Sequence, residues 1–326
     1  MKDIRWGIIG VGNVTERKSG PAFYKIGHSS LVAVMRRDEA KAKDFAKRHN
    51  VEKYYTNADD LIDDREVDAI YVATPPSSHK EYTIKALQAG KPVYVEKPMA
   101  MDYSECLEMI EAAKEAGMKL FVAYYRRALP YFQKVKELLD SGAIGKVTTV
   151  DIKLIRAAGE ADKDINTQPW RVKKEIAGDG YFFDLAPHTL DILDFLLGEI
   201  EDAKGYAENI GGYYSVSDTI SAILKFKSGA IGTGLWSFIS PKEAEQDTVT
   251  LTGDKGCLKF NTFSFQPIAL IAGDRVEYYE TEQPEHIQQP LIQSIVDELR
   301  GVGSCPSTGI SGARTSHIMD LITKKG

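Results

Sequence analysis

Cysteine is scarce in this chain of 326 residues, where Cys106, Cys257 and Cys305 are odd in number and far apart. That spacing fits neither a disulfide framework nor a zinc-binding knuckle, so no metal site is predicted, and it suits a reducing compartment. Long apolar runs are missing as well, because no segment approaches the roughly 20 residues that a membrane-spanning helix needs. The chain runs from Met1 straight into a strand-like segment without the apolar stretch of a signal peptide. We therefore expect a cytoplasmic protein without a membrane partner.

The chain also lacks an excess of positive charge. It has 41 Lys and Arg against 47 Asp and Glu, a formal net charge of −6, and its basic clusters are short pairs. This balance argues against a nucleic-acid partner. Internal repeats and low-complexity linkers are absent too. A composition of 43% hydrophobic and 27% charged residues is ordinary for a globular protein, and the length allows two domains.

The first part of the chain alternates short apolar runs with helical patterns. Helices are predicted at 39–49, 78–89 and 104–116, and strands at 4–9, 31–35, 69–74, 93–96 and 120–123. Strands and helices that alternate at this spacing indicate βαβ units and a parallel sheet.

From about Val147 the pattern changes to long segments of alternating polarity joined by turn signals, which predicts an antiparallel sheet. Helices are expected at 131–140, 184–197, 287–300 and 311–324. We therefore predict an α/β protein with one domain at 1–123 and a second at 124–326.

A glycine turn, Gly10-Val11-Gly12-Asn13-Val14-Thr15, follows the first predicted strand. In a dinucleotide-binding fold the first glycine makes the tight turn and the second lets the backbone approach the pyrophosphate. Thr15 occupies the place of the third glycine. An ordinary strand-to-helix turn is the alternative interpretation, but the position after the first strand favours nucleotide binding by Gly10, Gly12, Asn13 and Val14.

Arg36 and Arg37 end the second strand, where an NAD enzyme of this type usually has an acidic residue for the ribose hydroxyls. Arginine suits the 2′-phosphate of NADP because its guanidinium forms charge-assisted hydrogen bonds. The alternative is a solvated pair of arginines, with Asp38 capping the next helix. NADP is therefore the favoured cofactor and NAD remains open.

Two further groups of polar residues are candidates for chemistry. Glu96-Lys97-Pro98 ends a predicted buried strand, and the carboxyl ends of strands in an open α/β sheet are where ligands bind. Asp184 and His188 lie four residues apart on one face of a predicted helix. In that helix Asp184 is expected to be the N-cap and Pro187 a first-turn residue. Taken alone, Asp184 could be a simple cap and His188 a hydrogen-bonded core histidine.

Together these motifs resemble the glucose-fructose oxidoreductase / inositol dehydrogenase / rhizopine catabolism (Gfo/Idh/MocA) family. The resemblance rests on the order of the glycine turn, Ala-Thr-Pro-Pro at 73–76 with His79, Glu96-Lys97-Pro98, and Asp-Leu-Ala-Pro-His at 184–188. It implies a Rossmann domain followed by an α/β domain with a large, open, predominantly antiparallel sheet. It also implies a cis Lys97–Pro98 bond. Gly178-Asp179-Gly180 departs from the three glycines usual in the family, which leaves the shape of the substrate loop open.

The resemblance further implies roles for individual residues. Lys97, Asp184 and His188 would be catalytic, and with Trp170 and Arg171 they would bind substrate. Cofactor contacts would include Thr74, Pro75, His79, Glu96 and Lys97, besides the glycine turn and the two arginines. His188 suits a general acid or base because the reference pKa of histidine lies close to working pH. Lys97 would hydrogen-bond the reacting oxygen, and Asp184 would hold a neighbouring hydroxyl or orient the imidazole.

We therefore expect an NADP-dependent oxidoreductase that moves a hydride between nicotinamide and a secondary alcohol or ketone. Its substrate would be a sugar, anhydrosugar, polyol or related cyclic alcohol, selected by loops at 157–180 and 210–217. Two alternatives remain open: a glycoside hydrolase of the same fold that retains NAD, and a catalytically silent NADP-binding sensor or assembly subunit. Ile231, Leu235 and Phe238 suggest an uncovered apolar sheet face, so a homodimer or homotetramer is expected.

Overall fold

A computed structural model describes residues 3–323 of the chain. It divides into two compact units: the residues up to Leu129 with Pro284–Ala313, and Pro130–Gln283 with the residues from Arg314 on. This division differs from the predicted domains 1–123 and 124–326, because Pro284–Ala313 returns to the first unit. Within residues 3–323, helices of the length and apolarity needed to cross a membrane are absent.

The described residues form fourteen strands and eleven α-helices. The strands are β1 Ile4–Ile9, β2 Ser29–Met35, β3 Lys53–Tyr55, β4 Ala69–Val72, β5 Val93–Val95, β6 Leu120–Val122, β7 Val147–Ala157, β8 Ile200–Glu208, β9 Thr219–Phe226, β10 Ile231–Ser240, β11 Gln246–Gly253, β12 Cys257–Phe260, β13 Ile268–Ala272 and β14 Arg275–Tyr279. The helices are α1 Asn13–Arg17, α2 Ala22–Lys25, α3 Glu39–Arg48, α4 Ala58–Ile62, α5 His79–Gln88, α6 Tyr103–Glu115, α7 Pro130–Asp140, α8 Lys174–Ala177, α9 Gly180–Leu197, α10 Gln289–Leu299 and α11 Gly309–Thr323.

The first unit contains a six-stranded sheet in the order β3-β2-β1-β4-β5-β6, and every pair in it is parallel. β4 and β5 are buried along their whole length, as expected of a parallel sheet that helices cover on both faces. The strand order reverses between β1 and β4, and the crevice beyond the carboxyl ends at such a point is where ligands bind in α/β folds. The predicted parallel α/β domain is confirmed.

Two short helices, α1 and α2, replace the single helix that usually follows a glycine turn. Pro21 is the N-cap of α2. A Cβ atom added to Gly20 would collide with the Thr15 carbonyl oxygen. The chain therefore turns back on α1 at a point where only glycine leaves enough space.

The second unit is built on an eight-stranded sheet in the order β14-β13-β12-β11-β7-β10-β9-β8. Neighbouring strands are antiparallel except for β7 and β10, which pair in parallel. The predicted open, predominantly antiparallel sheet is thus confirmed.

The helix that carries Asp184 and His188 begins earlier than expected. α9 starts at Gly180 with Asp179 as its N-cap, so Asp184 lies in the second turn and Pro187 in the interior. The predicted cap at Asp184 is therefore wrong. Proline in a helix interior has no N–H to donate to the carbonyl four residues back. The sequence pattern places the helix start too late because it puts Pro187 in the first turn, where proline is tolerated.

One face of the second sheet exposes large apolar side chains. Ile223 on β9 is 59% exposed, and Ile231 and Leu235 on β10 are 45% and 36% exposed. Phe238 was expected on this face but is buried, and its ring packs 5.6 Å from that of Tyr181. Side chains alternate between faces along a strand, so Phe238 lies on the side opposite Ile231 and Leu235.

Glu16 on α1 is bound by two residues at the end of α3. Its carboxylate accepts hydrogen bonds from Arg48 Nη1 and Nη2 at 2.8 and 2.7 Å, and His49 Nε2 lies 3.1 Å away. The hydrogen bonds from Arg48 are the main cause that lowers the pKa of Glu16 from 4.5 to about 2. These contacts fix the helix that follows the glycine turn.

We predict that Glu16→Gln destabilises the protein at neutral pH, that the effect is much smaller near pH 2, and that it is absent at about pH 1. A lowered folded-state pKa contributes stability that is present above the unfolded pKa and is lost as pH falls through the folded pKa. Urea unfolding of both proteins should therefore give a constant difference in midpoint above about pH 5.5, which shrinks as pH falls through the folded pKa and vanishes at about pH 1. Glu39→Gln, which removes an exposed carboxylate from α3, is the control. A difference that does not change with pH would contradict the prediction.

Candidate active site

Gly10 makes the sharp turn after β1. Its φ angle is +98°, a left-handed conformation that favours glycine, and its amide donates to the Met35 carbonyl at 2.9 Å. An added Cβ atom would lie 2.7 Å from Thr74 Cγ2. The turn after β1 and the segment after β4 therefore meet at the carboxyl edge of the sheet, which brings Gly10 and Thr74 together.

Gly12 follows in an extended conformation, and an added Cβ atom there would meet nothing within 4 Å. Thr15, at the place of the third glycine, closes the turn with its hydroxyl. Its Oγ1 accepts from the Gly12 amide and donates to the Gly12 carbonyl, each at 2.8 Å. Asn13 and Val14 begin α1 directly beyond this point. The Gly12 backbone is accordingly open to close approach by a ligand, while Thr15 holds its conformation.

Arg36 lies beside the glycine turn, where its Nη1 donates to the Val11 carbonyl at 2.9 Å. Arg37 is exposed. Asp38 is the N-cap of α3: Oδ1 accepts from the Lys41 amide at 3.1 Å and Oδ2 pairs with Lys41 Nζ at 3.1 Å. The hydrogen bond to the Lys41 amide is the main cause that lowers the pKa of Asp38. The structure thus assigns Asp38 a capping role and leaves an arginine nearest the turn.

His79, predicted to contact the cofactor, has a completely buried imidazole. Its Nδ1 lies 2.9 Å from the Pro98 carbonyl and its Nε2 lies 2.8 Å from the Thr74 carbonyl. Burial is the main cause that lowers the pKa of this ring. His79 therefore supports the backbone of the two loops from inside, while Thr74 is half-buried and Pro75 exposed at the loop surface.

Glu96, also predicted to contact the cofactor, has a carboxylate that is buried and hydrogen-bonded within the protein. Oε1 accepts from Tyr71 Oη at 2.5 Å and from Gln288 Nε2 at 2.6 Å, and Oε2 accepts from the Lys97 amide at 3.1 Å. Lys97 follows directly, half-buried, and the Lys97–Pro98 bond is cis as the resemblance implied. The Glu96 carboxylate therefore holds the backbone at Lys97.

In the second unit, Asp184 forms an ion pair with Arg171. Arg171 Nε donates to Asp184 Oδ2 at 2.8 Å, and the Arg171 guanidinium lies 4.6 Å from the centre of the Trp170 ring. Trp170 and Arg171 belong to a short 3₁₀ turn, Trp170–Val172. The structure thus brings together three of the predicted substrate residues: Trp170, Arg171 and Asp184.

His188 lies one turn further along α9 and is buried. Its ring meets that of Phe263 edge to face, with centroids 5.7 Å apart, and the Arg156 guanidinium lies 5.5 Å from the Phe263 ring centre. Phe263 is held by Asp247, whose carboxylate accepts from the amides of Thr262, Phe263 and Ser264 at 2.7–3.0 Å. Sequence reasoning missed Phe263 and Asp247, since no local pattern places this loop beside α9.

Two further carboxylates organise the predicted substrate loops. Asp162 accepts from the Gly159 amide at 2.8 Å and from Tyr181 Oη at 2.7 Å. Burial first, and then the bond to Asp162, raises the pKa of Tyr181. Asp218 accepts from the amides of Ile210 and Gly211 at 3.0 and 2.8 Å. Both loops are therefore ordered by buried acids that the sequence did not single out.

Comparison with known proteins gives consistent matches. Residues 4–124 match the family model described as an oxidoreductase family with an NAD-binding Rossmann fold, and residues 132–259 match the GFO/IDH/MocA C-terminal domain. Oxidoreductase P35 of Formosa agariphila is 42% identical over 323 residues, which cover 98% of each chain.

Two more distant proteins extend the comparison. Trans-1,2-dihydrobenzene-1,2-diol dehydrogenase of Xenopus laevis is 30% identical over 316 residues, covering 89% of this chain and 90% of its own. Among solved structures, aldose-aldose oxidoreductase from Caulobacter crescentus in complex with glycerol has a TM-score of 0.86 at 26% identity. That match covers 98% of this chain and 96% of the other.

Proposed function

Because the chain belongs to the Gfo/Idh/MocA family of oxidoreductases, we propose that it is an NADP-dependent enzyme acting on a secondary alcohol or its ketone. The substrate is a sugar, anhydrosugar, polyol or related cyclic alcohol. One observation carries the proposal: Lys97 lies two residues beyond the end of β5, at the carboxyl end of the parallel sheet, with its amide held by Glu96. Ligands of this fold bind at that edge.

The residues of the first unit fit a dinucleotide. Gly12 leaves open space beside its backbone, as close approach of a pyrophosphate requires. Arg36 lies at the turn and can donate further hydrogen bonds, since a guanidinium carries five N–H groups. Asp38 is engaged with Lys41, so its carboxylate is directed to the helix rather than to a ribose. These features support NADP over NAD.

The names of two relatives support the substrate class. The protein from Xenopus laevis is named for a cyclic diol, and the one from Caulobacter crescentus for aldoses. In this chain Trp170 is 37% exposed beside the Arg171–Asp184 pair, so an apolar surface and hydrogen-bonding groups lie together. A sugar-like ring offers the same combination of apolar C–H faces and hydroxyl edges.

The roles follow from the chemistry of the side chains. The bound nicotinamide supplies or accepts the hydride. The Lys97 ammonium donates a hydrogen bond to the reacting oxygen and stabilises negative charge that develops there. His188 takes the hydroxyl proton in oxidation and returns it in reduction. Asp184, held by Arg171, accepts a hydrogen bond from a neighbouring substrate hydroxyl.

We predict that Lys97→Met abolishes turnover while the Kd for NADPH stays nearly unchanged, because the lysine acts on the reacting oxygen. His188→Ala should lower kcat by about 10²–10⁴, the usual effect of losing a general acid or base. A panel of carbonyl substrates with NADPH, followed by its absorbance, gives kcat, and fluorescence titration gives Kd. Lys114→Met, at an exposed lysine of α6, is the control. Near-normal turnover in both active-site variants would contradict the assignment.

A preference for NADPH over NADH of about ten- to a hundredfold is expected. One charge-assisted contact to the 2′-phosphate is worth about 1.5–3 kcal/mol. Arg36→Asp should shrink or reverse the ratio of kcat/KM for the two cofactors. Lys43→Asp makes the same change of net charge at an exposed position of α3 and should leave the ratio unchanged. Equal kcat/KM for both cofactors in the unmodified enzyme would show that Arg36 does not bind the 2′-phosphate.

A homodimer or homotetramer is expected, joined through the exposed face that includes Ile223, Ile231 and Leu235. An apolar patch of this kind usually marks an interface, and homo-oligomers are mostly symmetric. Light scattering at micromolar protein should give the mass of two or four chains, and Ile223→Lys should lower it. Val302→Lys, at an exposed position of the first unit, is the control. A monomer mass for the unmodified protein would rule the interface out.

A further inference from the structure

Glu96 is a buried carboxylate whose hydrogen-bond partners come from distant parts of the chain. Tyr71 lies on β4, Lys97 follows β5, and Gln288 immediately precedes α10. Each donates to the carboxylate, at 2.5, 3.1 and 2.6 Å respectively. A buried charge is costly unless hydrogen bonds replace its hydration, so the position of Glu96 depends on these donors.

Gln288 uses both ends of its side-chain amide. Nε2 donates to Glu96, while Oε1 accepts from Tyr94 Oη at 2.7 Å. Carboxylates only accept and the phenol here donates, so the two partners define which way the amide points. The residue is 1% exposed. Glu96 therefore has a donor that cannot turn away without breaking a second buried hydrogen bond.

The backbone around Gln288 is tied to the short helices after the glycine turn. The Gln288 amide donates to the Lys18 carbonyl at 3.1 Å, and His286 Nδ1 lies 2.8 Å from the Arg17 carbonyl. Lys25 pairs with Glu285 at 2.9 Å. The segment Glu285–Gln288, which we call the returning segment, is thus fixed on α1 and α2 before its last residue reaches Glu96.

From these contacts we propose that Gln288 is a positioning residue for Lys97. It holds the Glu96 carboxylate in place, and Glu96 in turn holds the Lys97 amide at the carboxyl edge of the sheet. The inference deepens the proposed function and rests on Lys97 as the group that binds the reacting oxygen. A small displacement of a group that binds the reacting oxygen lowers the reaction rate substantially. The reason is that the reaction requires narrow ranges of distance and angle between the reacting groups.

The first test replaces the amide by a side chain of similar length. Gln288→Met removes the bonds to Glu96 and Tyr94 and leaves the backbone bond to Lys18 in place. We expect kcat to fall at least tenfold while the Kd for NADPH changes less than twofold. Gln293→Met makes the same substitution on α10, where Gln293 Oε1 accepts from the Gly27 amide at 3.2 Å. That variant should retain normal kcat.

A second variant separates positioning from a general structural role. Gln288→Glu places another carboxyl group against Glu96, and two neighbouring acids raise the pKa of one of them. At low pH a shared proton bridges the pair, and as pH rises the charges repel. The kcat of Gln288→Glu, relative to the unmodified enzyme, should therefore fall with increasing pH. A loss that is the same at every pH would overturn the proposal, and this variant also decides the case if Gln288→Met fails to fold.

The third measurement needs no substrate. Reductive methylation with ¹³C-formaldehyde gives each lysine an NMR signal, and that of Lys97 is identified by its absence in Lys97→Arg. The Lys97 signal should move in Gln288→Met and stay in place in Gln293→Met. An unmoved signal in a folded Gln288→Met would overturn the proposal. If no carbonyl compound is reduced by the unmodified protein, the proposed function fails, and this measurement still shows whether Gln288 positions Lys97.

Discussion

The buried carboxylate of Glu96 needs hydrogen-bond donors from within the protein, and several elements of the first unit supply them. Tyr71 and Tyr94 stack with ring centres 4.8 Å apart on neighbouring strands, so their hydroxyls converge on the same region. Burial, with the nearby Glu96 charge, raises the pKa of the Tyr71 hydroxyl well above its usual value, so it stays a donor. The chain beyond Pro284 returns to the first unit and supplies a further donor, Gln288. A charged group at the end of β5 thus orders strands, helices and a distant segment together.

Carboxylates play a comparable part in the second unit, where they order loops rather than strands. Asp162, Asp218 and Asp247 each accept backbone amides from the loop they hold. A carboxylate that accepts hydrogen bonds from several backbone amides gives an irregular segment the partners that a strand or helix would otherwise supply. The loops around Asp184 and His188 are therefore set by acids that do not themselves take part in the proposed chemistry. Changes in loop length at these places can alter specificity while the sheet is retained.

Much of the fold could be predicted, because its signals are periodic and local. β1 and α3 were placed to within a residue, since an apolar run and a capping aspartate mark them. β8, an edge strand rich in charged residues, lacks the apolar signal on which such prediction relies. Lys97 and Arg36 lie just beyond strand ends, as predicted, whereas the burial of the His79 and Glu96 side chains was not predicted. Sequence position located these two residues but did not show which way their side chains face.

Taken by itself, the sequence determined the features that depend on a few neighbouring residues. Gly10 must turn with a positive φ angle, and Lys97 must follow a short apolar strand, whatever the rest of the chain does. Only the tertiary structure decided the partners of the buried polar groups. Gln288 meets Glu96 across 192 positions of sequence, and Arg171 pairs with Asp184. The reason is physical: backbone conformation follows from local sterics, whereas a buried charge takes whichever donor the folded chain brings within reach.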